Sequence, residues 1–263
     1  MGVIRIGVDI GSTAAKTAVL DDGELVHAAC VPTGFSSVDA AERIRTELAS
    51  AGYDVDDASV VATGYGRVSV PYAGKTVTEI TCHGKGAAFL FGPDCVVVDI
   101  GGQDTKAIVV RAGKVVKFAM NDKCSAGTGK FLEIMANRMG VSQDELSRLA
   151  RQGNPTEISS LCTVFAESEV ISLIGEGKPR EDIAWGVIES VAGKVTPLIP
   201  NADDLPCFLT GGLCDNEYLI ERLSLKLGKP IGSSPQARFA GALGAALSTP
   251  LTGSSLLDGD GGK

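Results

Sequence analysis

The chain has 263 residues, is 44% hydrophobic and carries a net charge of -8 at pH 7. That length suits one large domain or two fused lobes. An acidic chain with no Lys/Arg run is a poor partner for nucleic acid or for an anionic membrane. No apolar run reaches the ~20 residues a spanning helix needs. Seven cysteines lack a disulfide-framework spacing, and the chain opens directly on a strand pattern, so reduced thiols in the cytoplasm are expected, some of them as ligands.

In chain order, residues 3–26 read as a glycine-turned hairpin around Asp21-Asp22-Gly23. Residues 38–49 place Ala41, Ile44, Arg45 and Leu48 at helical spacing. A short buried strand over 59–63 leads into the loop GYGR at 64–67. A small-residue helix over 78–91 contains Cys82 and His83. Residues 96–116 then repeat residues 6–26 without a gap: VVVDIGGQDTKAIVVRAGKVV lies over IGVDIGSTAAKTAVLDDGELV. Asp9/Asp99, Gly11/Gly101, Lys16/Lys106 and Gly23/Gly113 are identical. The repeat predicts an α/β chain of two related lobes, residues 1–94 and 95–249, followed by a flexible tail over 250–263.

The second lobe continues through NDKCSAGTGKF into a helix carrying Phe131, Leu132, Met135 and Met139 on one face, with Gly140 as its stop. The capping-box residues Ser142 to Glu145 open a helix to about Arg151. Cys162 precedes a helix that Thr163 caps and that runs to about Ile174, with Gly175 after it. Pro179 starts a long helix whose buried stripe runs from Ile183 to Leu198. The strand CFLTGG at 207–212 ends in paired glycines, and helices follow over 216–227 and 236–247.

Each DIG turn places a carboxylate at a strand end and glycines where backbone N–H groups cradle phosphate oxygens. Two such turns facing each other suit a triphosphate. Asp9 and Asp99 would hold hydrated Mg²⁺. Gly11, Ser12 and Thr13 on one side, and Gly101, Gly102 and Thr105 on the other, would cradle ATP or ADP. Lys16 and Lys106 would neutralise phosphate charge, and Gln103 or Asp104 would orient the attacking water. Thr210, Gly211 and Gly212 offer a shelf for an adenosine. There is no GxxxxGK[ST] loop and no GxGxxG site. Cys124 and Cys162, each ahead of a helix start, suit an anionic metal centre better than a disulfide. Two cysteines are too few for a complete site in one chain, and a pair of buried structural cysteines is the alternative. Cys30, Cys95, Cys207 and Cys214 read as small buried apolar residues, and His27 as a surface residue.

DIGSTAAK, DIGGQDTK and TGG resemble the phosphate and adenosine motifs of the actin, sugar kinase and Hsp70 superfamily. That resemblance implies two ribonuclease-H-like lobes with a nucleotide cleft between them. TEITCHGKGA, MNDKCSAGTGKFLE, EISSLCTVFAESEVISL and ARFAGALGAAL resemble, more narrowly, the activator ATPases of 2-hydroxyacyl-CoA dehydratases and the ATPase subunits of benzoyl-CoA reductase, from about residue 4 to 248. The resemblance implies a homodimer holding one [4Fe-4S] cluster, with Cys124 and Cys162 of each copy as ligands. It also implies ATP-dependent transfer of one electron from a reduced ferredoxin or flavodoxin to a partner enzyme. Gly127, Thr128 and Gly129 would then lie between cluster and nucleotide. TGGLCDNEYL and SSPQARFAGALGAAL look closer to the ATPases that serve double-cubane-cluster proteins, so the acceptor is either such a protein or a dehydratase. The alternative is a small-molecule kinase of the same superfamily without a redox role.

Overall fold

The computed structural model describes residues 4–160, 162–202 and 204–249. The tail expected over 250–263 lies outside the described residues. The first sheet is built from β1 (Arg5–Ile10), β2 (Ala14–Asp21), β3 (Glu24–Pro32), β4 (Ser59–Thr63) and β5 (Lys75–Thr76), in the order β3-β2-β1-β4-β5. The second is built from β6 (Cys95–Ile100), β7 (Thr105–Arg111), β8 (Lys114–Asn121), β9 (Cys207–Gly211) and β10 (Ile231–Gly232), in the order β10-β9-β6-β7-β8. The two orders are the same topology. Each sheet starts as an antiparallel three-stranded meander and adds two parallel strands beyond the first.

The duplication reaches into backbone detail. Asp9 pairs with Lys16, and Asp99 with Lys106. The second hairpin of each meander shifts register at one place, Val19/Leu20 and Val109/Val110. Its turn puts Asp22 and Gly23 in one lobe, and Ala112 and Gly113 in the other, at positive φ.

The helices are α1 (Ser37–Ser50), α2 (Glu79–Phe91), α3 (Gly129–Met139), α4 (Gln143–Ala150), α5 (Thr163–Gly175), α6 (Arg180–Val195), α7 (Glu217–Leu227) and α8 (Ala240–Ala246). One core joins the first sheet to α1 through Ile6, Val8, Ile44 and Leu48. A larger core joins the second sheet to α3, α4, α6 and α7 through Val96, Val98, Phe131, Met135, Val187 and Leu219. Two helices are exchanged between the lobes. The small-residue helix α8, late in the chain, covers β1, β2 and β4, and α2, early in the chain, covers β6, β7 and β8. The segment expected as one helix over 236–247 is a 3₁₀ turn, Ala237–Phe239, followed by α8. No helix among the described residues is long and apolar enough to cross a membrane.

Two expectations about helix starts change. Cys124 lies five residues before the first residue of α3, in a loop and not at the helix cap. The helix start instead bonds to the second DIG turn. Cys162 is itself the N-cap of α5, with extended backbone, and Thr163 is the first helical residue. Of the cysteines expected to be buried, Cys95, Cys207 and Cys214 are, but Cys30 is exposed because it sits on the outermost strand β3. His27 is half-buried and bonds Glu47 at 2.8 Å.

Candidate nucleotide cleft and cysteine pair

β1 and β6 end side by side at a cleft lined by Asp9, Gly11, Ser12, Thr13 and Lys16 of one lobe and by Asp99, Gly101, Gly102 and Asp104 of the other. Gly129, Glu133, Gln143, Gly211, Gly212 and Leu213 lie on that side as well. The two turns have the same closure: Gly11 N–H donates to the Ala14 carbonyl at 3.1 Å, and Gly101 N–H to the Asp104 carbonyl at 2.9 Å. They face each other closely, since a Cβ at Gly102 would stand 2.2 Å from Thr13 Oγ1. A second matched pair follows the parallel strands. Thr63 and Thr210 sit opposite Asp9 and Asp99, and Gly64 and Gly211, at φ 86° and 87°, pass against the same aspartates and the Ile10 and Ile100 carbonyls. No side chain fits at either glycine.

Asp9 and Asp99 are both buried, but in different surroundings. Asp9 Oδ1 has no hydrogen-bond partner among the described residues. Asp99 accepts from Thr210 Oγ1 at 2.9 Å and lies 3.3 Å from His83 Nδ1 and 3.5 Å from Lys106 Nζ. Burial alone would raise the Asp99 carboxyl. His83, Lys106, Lys16 and the Thr210 hydroxyl hold it at about 2.

Lys106 is 1% exposed and does not line the cleft. Its ammonium sits 2.8 Å from Asp104 Oδ1 and 2.9 Å from Glu79 Oε1, and these charges with Asp99 push its pKa up against burial. Lys106 is therefore a buried strut between carboxylates, while Lys16 is the half-buried cation at the cleft wall. Gln103 is exposed and lies outside the lining. Thr105 donates to the Gly127 carbonyl at 2.7 Å, Thr128 to the Ser125 carbonyl at 2.6 Å, and Thr210 to Asp99, so these three hold backbone and carboxylate in place.

Among the lining residues that sequence reasoning did not assign to the cleft are Tyr65, Glu79, His83, Glu133 and Gln143. Glu79 and His83 are four apart on α2 and so share a face. A charged pair at that spacing in a helix otherwise built of small residues was the available signal. Burial raises the Glu79 pKa, opposed by His83 and Lys106. Tyr65 reaches across the cleft, its hydroxyl donating to Asp104 Oδ2 at 3.2 Å. Glu79, His83 and Asp99 stand close enough to hold a metal ion. The Lys106 ammonium already meets the charges of both carboxylates, which disfavours a second cation there.

The loop 121–128 leaves the cleft toward the cysteines. Gly129 N–H donates to the Gly101 carbonyl and Lys130 N–H to the Gly102 carbonyl, both at 2.9 Å. Upstream, Asn121 holds the loop through the Cys124 and Ala126 carbonyls and the Cys124 N–H. Ser125 Oγ and Thr163 Oγ1 are 2.8 Å apart, which ties the residue after Cys124 to the residue after Cys162. Both cysteines are exposed. By contrast, burial pushes the thiols of Cys82, Cys95, Cys207 and Cys214 up to about 11.

Compared with known proteins, residues 6–249 match the family model described as the BadF/BadG/BcrA/BcrD ATPase family. The chain belongs to that family. It is 42% identical over 252 residues to the (R)-2-hydroxyglutaryl-CoA dehydratase activating ATPase of Acidaminococcus fermentans, covering 94% of this chain and 97% of that one. The crystal structure of that dehydratase's component A superposes with a TM-score of 0.87 at 41% identity, covering 94% and 97% of the two chains. The activator of the 2-hydroxyisocaproyl-CoA dehydratase from Clostridium difficile, solved with bound ADPNP, superposes at 0.85 with 35% identity and 94% of each chain covered. A ROK hexokinase from Thermus thermophilus, at 17% identity and a TM-score of 0.50, shares the fold alone, covering 95% and 98%. This BadF/BadG/BcrA/BcrD family member thus has the two-lobed fold of actin, sugar kinases and Hsp70.

Proposed function

We propose that the chain is an ATP-driven one-electron transfer protein of the cytoplasm. It is a homodimer holding one [4Fe-4S] cluster through Cys124 and Cys162 of each copy. It takes an electron from a reduced ferredoxin or flavodoxin and passes it to a separate iron-sulfur enzyme, a 2-hydroxyacyl-CoA dehydratase or a double-cubane cluster protein. The observation that carries this reading is the continuous bonded route from the cleft to the cysteines: Gly101 and Gly102 to Gly129 and Lys130, then the loop to Cys124, then Ser125 to Thr163 beside Cys162. The names of the relatives, activators of dehydratases, support the same role.

The donor set fits the cluster. Both thiols are exposed, a hydroxyl hydrogen bond joins the residues that follow them, and two copies supply the four thiolates it takes. When bound, it supplies one-electron chemistry at low potential. The donor set fits Mg²⁺ as well, because Asp9 presents a buried carboxylate oxygen without a partner among the described residues and Asp99 stands opposite. That ion would neutralise the charge that develops on the transferred phosphoryl group. Glu79, Asp104 and Glu133 are carboxylates of the cleft lining, besides Asp9 and Asp99, that can take the proton of an attacking water, and Gln103, turned to solvent, has no part in this reading. A nucleotide that moves the second DIG turn moves Gly129 and Lys130 with it, and so the loop of Cys124. It shifts that equilibrium only by the difference in its affinity for the two arrangements.

The test is iron, sulfide and subunit stoichiometry of anaerobically purified protein, with its Mg-ATPase activity. About four iron per dimer is expected. Cys124→Ser and Cys162→Ser should each lose the iron and keep the Mg-ATPase. Wild-type protein that hydrolyses ATP without iron or sulfide would exclude the electron-transfer reading and leave the kinase.

A further inference from the structure

Lys194 lies in the last turn of α6 and reaches both cysteine segments. Its Nζ donates to the Ser160 carbonyl at 3.2 Å, two residues before Cys162, and to Ser190 Oγ at 3.0 Å. Its Cβ packs on Gly127, three residues after Cys124, so closely that a Cβ there would stand 3.2 Å away. Lys194 and Cys124 line one surface cavity together with Met120, Asn121 and Ala126. The ammonium also stands 5.4 Å from the Phe131 ring centroid.

The anchor it uses is itself held. Glu169 of α5 folds back to accept from the backbone N–H and the hydroxyl of both Ser159 and Ser160. Burial pulls the Lys194 ammonium below the ordinary lysine range, while its interactions with Cys124, Cys162 and Glu169 act in the opposite direction. A half-buried cation in that position is oriented by three elements and only partly screened by solvent.

We infer that Lys194 is a fixed positive charge that raises the reduction potential of the group held by Cys124 and Cys162. The inference rests on the proposed cluster. Four thiolates leave such a cluster anionic, and more so once reduced, so a nearby cation stabilises the reduced form more than the oxidised one. Lys194 makes no bond to iron in this account. It acts through charge, from the end of a helix that the nucleotide cleft does not contact.

The experiment is an anaerobic redox titration of the intact dimer followed by electron paramagnetic resonance, on wild type, Lys194→Gln and Lys194→Arg. Gln keeps a donor for the Ser160 carbonyl without the charge, and Arg keeps the charge. Lys194→Gln should bind iron and sulfide as wild type does and reduce at least about tenfold less favourably, a shift of about 59 mV toward more negative potential for one electron. Lys194→Arg should stay near wild type. If Lys194→Gln loses the cluster while Lys194→Arg keeps it, the charge serves assembly and the potential-setting role is overturned. Equal potentials in wild type and Lys194→Gln, or equal shifts in Gln and Arg, overturn it. Wild-type protein without iron or sulfide removes the cluster reading itself and is a distinct result.

Discussion

Gly244 of α8 packs so closely on Cys82 of α2 that a Cβ at Gly244 would stand 1.7 Å from the Cys82 carbonyl oxygen. The same crossing brings a Cβ at Gly86 to 1.9 Å from the Ala240 carbonyl. These two helices are the ones exchanged between the lobes, so their contact fixes how one sheet sits on the other. Gly244→Ala therefore has to push backbone from backbone. It should destabilise by about 3 kcal/mol or more, at the upper end of overpacking effects. Gly193→Ala is the control, because nothing lies within 4 Å of that position inside α6, and it should be neutral or stabilise by roughly 0.5–1 kcal/mol. Denaturant midpoints of the two variants compare them. Equal stability would mean the helices separate without penalty.

The two lysines of the repeat should fail in different ways. Lys106 neutralises Glu79, Asp99 and Asp104 in a buried site, so Lys106→Met leaves uncompensated carboxylates and should lose roughly 3–5 kcal/mol. Lys16 stands at the cleft wall, so Lys16→Met should fold normally and raise the KM for ATP. Melting curves with ATPase kinetics read both. The reverse pattern would return Lys106 to the phosphates.

The doubled meander was legible in the sequence because identical turn chemistry recurs at identical spacing: Asp9 and Asp99, Gly11 and Gly101, Gly23 and Gly113. The match of Thr63-Gly64 to Thr210-Gly211 was not, because the helices α3 to α6 are inserted before the second copy and destroy the spacing. The exchange of α2 and α8 was also hidden. Every residue of α8 is buried, and the buried part of α2, around Cys82 to Ala87, is mostly small, so neither sequence says which sheet its helix covers. Cys124 and Cys162 were found from their helix-start contexts, but their difference depends on backbone. Cys162 caps α5, whereas the loop after Cys124 spends the α3 start on Gly101 and Gly102.

Asp9 and Asp99 are equivalent by duplication and unequal in support. Asp99 has Thr210, His83 and Lys106 around it, so Asp99→Ala should lose both activity and stability. Asp9 Oδ1 is buried without a partner among the described residues, so removing it relieves an unsatisfied group. Asp9→Ala should then keep or gain stability while Mg-ATPase falls by about 10²-fold or more, the scale of a lost electrostatic contact in a transition state. Mg-ATPase activity near wild type in Asp9→Ala would take that carboxylate out of the metal role.

One of the two bonds that start the route from cleft to cysteines can be removed at one atom. Gly129 is the first residue of α3, and its N–H donates to the Gly101 carbonyl. Thr128 before it is extended, at φ -119° and ψ 170°, which is the conformation a following proline requires. Proline is tolerated at the first helical position, where the fixed φ suits the helix. Gly129→Pro therefore removes this donor while allowing α3 to form. Gly129→Ala keeps the donor and adds only a Cβ, 3.3 Å from the Gly101 carbonyl oxygen. With the cluster reading in force, wild type and Gly129→Ala should change their visible absorption or paramagnetic spectrum on adding Mg-ATP. Gly129→Pro should retain iron and lose most of that spectral response, with ATP hydrolysis measured alongside because Gly129 lines the cleft. A Gly129→Pro dimer that answers ATP as wild type does would show that the coupling runs elsewhere, through the lobes as whole bodies and not through the loop of Cys124.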